Sequence, residues 1–118
     1  MEKSKKLLRL CKEIVKLDKP SLISFIDKVP HQTIHQISEI FHNMQYFTHK
    51  SPTKIREKLV SGMRDNKNGC KYISKKYNKV SSKKKYLRKQ VGNGLFTLIA
   101  SAAIPIISSI ISAIKNRK

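Results

Sequence analysis

The chain has 118 residues, with 26 Lys and Arg against seven Asp and Glu, for a formal charge of +19. That length suits one small domain with an appendage and leaves little room for a multidomain enzyme. Seven scattered carboxylates, no phosphate-cradling glycine loop and no paired acid site make a poor supply for catalysis, so the chain reads as non-enzymatic and cofactor-free. A charge excess of this size attracts polyanions, either nucleic acid or anionic lipid.

The charge is unevenly spread. Residues 1–50 carry +4, residues 51–94 carry +12, and residues 95–118 carry +3. The opening Met1-Glu2-Lys3-Ser4-Lys5-Lys6 leads into an amphipathic segment rather than the apolar run of a secretory signal. Cys11 and Cys70 are too few for a disulfide framework and read as small hydrophobes or idle thiols.

Leu7, Leu8, Leu10, Cys11, Ile14, Val15 and Leu17 recur every three or four residues, which predicts a first helix. Asp18 before Lys19-Pro20 supplies a cap and a restart, and a second helix carries Leu22, Ile23, Phe25 and Ile26 up to the break at Val29-Pro30. A third helix follows with Ile34, Ile37, Ile40, Phe41, Met44 and Phe47 on one stripe. Ser51-Pro52 starts a fourth, with Ile55 and Leu59 before Ser61-Gly62. No alternating apolar pattern argues for a sheet. His31, His35, His42 and His49 lie near one face of the third segment. His31 and His35 have the spacing of a chelating pair, but Glu39 is the sole carboxylate nearby, so they read as a solvated edge with no metal. A weaker alternative is pH sensing, in which four protonating His enlarge the cationic surface.

From Lys67 to Lys89 there are ten basic residues in 23 and no acid. These are Lys67, Lys71, Lys75, Lys76, Lys79, Lys83, Lys84, Lys85, Arg88 and Lys89, read as phosphate-binding. Like charges at i, i+4 disfavour an isolated helix, so the segment is expected to be loose when free and to order on a polyanion. Tyr72, Tyr77 and Tyr86 are interleaved as candidate base-stacking groups. Asn68-Gly69 signals a turn, and Ser81-Ser82 is placed to cap a helix over residues 82–90. Lysine makes phosphate contacts rather than bidentate base contacts, so binding to DNA is expected to be non-specific. A nuclear-localisation signal or a merely solvated segment is the bland alternative.

Leu95 to Ile114 is twenty residues without a charge, about 30 Å long as a helix and thus the thickness of a bilayer's hydrocarbon core. Leu95, Phe96, Leu98, Ile99, Ile104, Ile106, Ile107, Ile110, Ile111 and Ile114 are its candidate membrane-contacting residues. Thr97, Ser101, Pro105, Ser108 and Ser112 form one narrow stripe, widened by Ala102 and Ser109. Such a stripe suits close helix–helix contact and hence self-association, while Pro105 implies a kink. The alternative for this segment is burial against the head. The expectation is therefore an all-α chain: a head of about four short helices over 1–62, a Lys-rich helical or flexible arm over 63–91, a glycine hinge at 92–94, an apolar helix over 95–114, and a basic tip at 115–118.

Phe41-His42-Asn43, Ser82-Lys83-Lys84-Lys85-Tyr86-Leu87-Arg88-Lys89-Gln90 and Gly92-Asn93-Gly94-Leu95-Phe96 carry a resemblance along nearly the whole chain. In this arrangement the protein resembles small basic proteins of Polinton/Maverick-type elements and adintoviruses and, more loosely, the precursor of the adenovirus minor core protein X. The resemblance implies a virion-associated, DNA-condensing protein of the virion or host nucleus, in contact with capsid proteins and with a tail acting at a membrane or inside the particle. It also implies a maturation cleavage near Gly94, although Gln90 stands where such proteases favour an aliphatic residue. The competing function is a tail-anchored or membrane-active protein whose basic segment meets anionic headgroups.

Overall fold

The computed structural model describes residues 2–75 and 78–115, the side chain of Lys115 excepted. Their regular structure is helical throughout: α1 (Glu2–Lys16), α2 (Lys19–Lys28), α3 (His31–His42), α4 (Met44–Lys50), α5 (Thr53–Asp65), α6 (Lys67–Ser74), α7 (Val80–Gly92) and α8 (Leu95–Lys115). The all-α expectation holds, but the count of four head helices does not. Five helices begin before residue 62, because the third predicted segment divides at Asn43. Asn43 sits at φ −94°, ψ 12°, and its Nδ2 donates to the Glu39 carbonyl at 3.0 Å, closing α3 with a side chain.

Other boundaries follow from local chemistry. Asp18 caps α2 through an oxygen that accepts from the Ser21 N–H at 2.9 Å, with Pro20 in the first turn. Hydrogen bonding by the Ser21 side chain, and then by its backbone N–H, holds the Asp18 carboxyl below its ordinary value. Ser51 does not cap α5; its hydroxyl donates back to the Phe47 carbonyl at 2.6 Å and so completes the end of α4. Ser81 and Ser82 lie inside α7, whose cap position is Lys79. Asn68-Gly69 is also helical rather than a turn. Gly92 closes α7 and Asn93-Gly94 interrupts the chain before α8, with Gly94 at φ 81°, a conformation that glycine adopts without strain.

The apolar helix α8 is the spine of the bundle. It packs on α1, α3, α4, α5 and α7, and Leu95, Phe96, Ile99, Ala100, Ala102, Ala103 and Ile107 are buried along it. Phe96 meets Phe41 of α3 with ring centroids 5.7 Å apart. Gly62 of α5 admits the start of α8, since a Cβ there would fall 2.6 Å from Leu95 Cδ1. Of the stripe, Ser101, Pro105, Ser109 and Ser112 are exposed, Thr97 and Ser108 half-buried and Ala102 buried, so it follows the solvent side of this helix and its margin. Pro105 is tolerated there because the carbonyl it leaves unbonded, that of Ser101, lies on the exposed side. By length and composition Leu95–Ile114 is also long and apolar enough to cross a membrane, with a mean hydropathy of 2.1.

Helix α7 lies antiparallel to α2. Lys19 Nζ donates to the Gly92 carbonyl at 2.9 Å at one end. At the other, Arg88 donates twice to Asp27 Oδ1, at 2.6 and 3.0 Å, and Lys84 Nζ donates to the Asp27 carbonyl at 3.1 Å. The basic segment is thus folded onto the helical head along α2 and α3.

Candidate nucleic-acid interface

Folding sorts the ten predicted phosphate-binding residues into distinct groups. Lys67 and Lys71 on α6, Lys75 just past its end, Lys79 at the start of α7, and Lys85 and Lys89 on α7 are exposed. Lys84 and Arg88 are engaged by Asp27, although Arg88 remains exposed. Lys76 and Tyr77 lie outside the described residues. Lys83 differs in kind: it has no exposed surface, and its Nζ donates to Ser38 Oγ at 2.8 Å in the core. In this fold its ammonium does not reach a phosphate. Burial pushes its pKa below the ordinary lysine value, because desolvation penalises the charged form.

Four of the exposed cations, Arg64, Lys67, Lys71 and Lys89, border two adjoining clefts. Arg64, Lys67 and Lys71 border an open cleft that also touches His42 and Met63. Arg64 and Lys67 continue into a second cleft, which Lys89 of α7 borders from the other side. Helices α6 and α7 are held together there by Tyr72 and Tyr86, whose ring centroids are 4.8 Å apart. These two tyrosines are half-buried, with ring planes tilted 39° to each other, so part of each ring is committed to the protein. The sequence does not single out Arg64, which precedes the run from Lys67 to Lys89, or mark Gln90, the residue after that run, as a cleft residue.

Little else in the molecule offers chemistry. His31, His35, His42 and His49 are all exposed, and no group of three or more His, Cys, Asp or Glu suited to a metal occurs among the described residues. Burial pushes the Cys11 thiol up to about 12 and the Cys70 thiol up to about 11, so both stay protonated and unreactive at neutral pH.

The candidate membrane residues divide along α8. Leu95, Phe96, Ile99 and Ile107 are buried in the bundle, and Leu98, Ile104, Ile106 and Ile111 are half-buried. Only Ile110 and Ile114, 37% and 41% exposed, present large apolar surface to solvent. Comparison with known protein families, curated proteins and solved structures finds no match for this chain.

Proposed function

We propose that the protein is a non-enzymatic DNA-binding protein that engages phosphate backbones without sequence preference, using the exposed cations of α5, α6 and α7. The observation that carries this reading is the exposure of Arg64, Lys67, Lys71, Lys75, Lys79, Lys85 and Lys89 in a chain of charge +19, four of them (Arg64, Lys67, Lys71 and Lys89) bordering two adjoining clefts. No acid occurs from residue 67 to residue 89 to oppose it. A rigid two-helix platform loses less freedom on binding than a loose arm would, because its backbone is already ordered. The resemblance to element-encoded core proteins supports a place in a virion or host nucleus and a role in condensing DNA.

Binding to duplexes of unrelated sequence is expected to be equal within a few-fold. It should weaken by roughly 10³–10⁵ between 50 and 200 mM salt if six to ten phosphates are neutralised. Lys71→Gln, Lys75→Gln and Lys85→Gln together are expected to lower the slope of log K against log salt by about three. Fluorescence anisotropy across a salt series measures both quantities. An unchanged slope in the triple variant would remove these residues from the interface.

A second reading has its own observation: Ile110 and Ile114 are exposed near the end of a membrane-length helix that leads into Lys115. In that reading α8, or its last turns, enters an anionic bilayer. Co-flotation of the full chain with phosphatidylglycerol vesicles supports it, and its loss in Ile110→Ser/Ile114→Ser would tie the contact to those turns. Absence of flotation at low salt rejects it.

A further inference from the structure

The cleft between the first turn of α6 and the last turns of α7 has a volume of about 230 Å³, several times the roughly 30 Å³ of one water. Arg64, Lys67 and Lys89 border it, with Asp65 as the single opposing carboxylate. Beneath it lies Gln90, 1% exposed, whose Nε2 has no hydrogen-bond partner. A buried donor left unpaired has lost its water without gaining a partner, so its persistence requires an explanation.

The orientation of that amide follows from its neighbours. The Leu95 backbone N–H donates to Asn93 Oδ1 at 2.9 Å, which makes the other end of the Asn93 amide the donor. Asn93 Nδ2 then donates to Asn66 Oδ1 at 3.0 Å and to Gln90 Oε1 at 3.1 Å. Asn66 Nδ2 in turn donates to the Gly62 carbonyl at 2.9 Å. Exchanging the oxygen and nitrogen of Gln90 would set two donors against each other, so Nε2 is the free end. It points toward Gly69, where an added Cβ would lie 3.0 Å from it. The Asn66 side chain is occupied by the same network, and the first turn of α6 has no side-chain cap.

We propose that this cleft seats a single phosphate group, held by the Gln90 Nε2 donor, the uncapped first turn of α6 and the Arg64, Lys67 and Lys89 side chains. The chemistry is that of an anion at a helix start, reinforced by a buried amide donor and three cations. The site deepens the DNA-binding reading and rests on it only for the source of the phosphate. Lys71 and Lys85, on the same two helices, favour a backbone phosphodiester over a free anion.

Titration of the full chain with inorganic phosphate, followed by ¹H–¹⁵N NMR, tests the site. Saturable shifts are expected at the Gln90 side-chain amide and at the Asn68 and Gly69 backbone amides. Asp65→Asn, on an exposed position, is expected to tighten phosphate binding several-fold. Gln90→Met is expected to weaken it by at least about tenfold, the worth of one hydrogen bond to a charged group. Gly69→Ala, which crowds the amide, should weaken it as well. No localised shift, or equal affinity in wild type, Asp65→Asn and Gln90→Met, overturns the site. A duplex oligonucleotide forms the second arm and should shift the same three amides. If it binds with salt sensitivity and leaves them unmoved, the site is wrong while the DNA-binding reading stands. If free phosphate binds the cleft and the oligonucleotide does not bind at all, the site stands and the DNA-binding reading fails.

Discussion

Phe96→Ala is expected to lower the free energy of unfolding by about 3–5 kcal/mol, a large share of the roughly 5–15 kcal/mol that stabilises a typical domain. Phe96 has no exposed surface, and its ring packs on Phe41, so truncation removes both the transfer free energy of the ring and the contacts that line the resulting cavity. The measurement is urea denaturation without lipid, followed by the helical circular dichroism signal. Ile114→Ala on the exposed end of the same helix should shift stability by no more than about 0.5 kcal/mol. The pair of variants separates two roles for α8. If α8 is the spine of the bundle in solution, Phe96 matters and Ile114 does not. An unchanged midpoint in Phe96→Ala would mean that α8 is not packed on the head in water.

Lys83→Met has the opposite expected sign, a gain of about 1–4 kcal/mol at pH 7 and a melting temperature higher by several degrees. Methionine matches the length and apolar stem of lysine without a charge to desolvate. Ser38 stays satisfied after the exchange, because its hydroxyl donates to the Ile34 carbonyl at 3.1 Å. No salt bridge among the described residues involves Lys83. The pH dependence carries the same information. The folded pKa of Lys83 is lowered from 10.5, so between that lowered value and 10.5 the unfolded chain binds more protons than the folded one. Stability from this group therefore rises with pH across that window and is flat below it. The other lysines also titrate at high pH, so the quantity to compare is the difference between wild type and Lys83→Met. That difference should shrink as pH approaches 10.5. A difference independent of pH would mean that Lys83 is not a buried ammonium.

Lys83 also shows why the fold of the basic segment is not legible in its sequence. In the sequence it is one lysine in a run of three, with nothing to distinguish it from Lys84 or Lys85. In the structure the three point in three directions: into the core, toward the Asp27 carbonyl, and into solvent. Helical geometry places neighbouring residues about 100° apart, so one of the three must face the head once α7 docks on α2 and α3. The expectation of a loose arm rested on like-charge repulsion worth a few tenths of a kcal/mol per pair. Burial of Ile73, Leu87 and Val91 outweighs that, at about 1.5–3 kcal/mol for a fully buried large aliphatic side chain.

The cleft between α6 and α7 is likewise not legible in the sequence. Asn66, Gln90 and Asn93 are brought together from two helix ends, Asn93 lying 27 positions after Asn66. No local spacing in the chain marks that meeting.

By itself the sequence determined the helical class, the cap at Asp18, the break between α7 and α8 and the location of the excess charge. Each of these is set by near neighbours: apolar residues at helical intervals, an acceptor beside a proline, glycine where φ is positive, and a run without acids. Only the tertiary structure decided which lysine is buried, that Ser101 and Pro105 face solvent, and that α8 packs as the spine of the bundle. Those outcomes depend on which faces meet. A twenty-residue apolar helix satisfies the length criterion for a bilayer and for a protein core equally, and the choice rests on the apolar surface the other helices offer it.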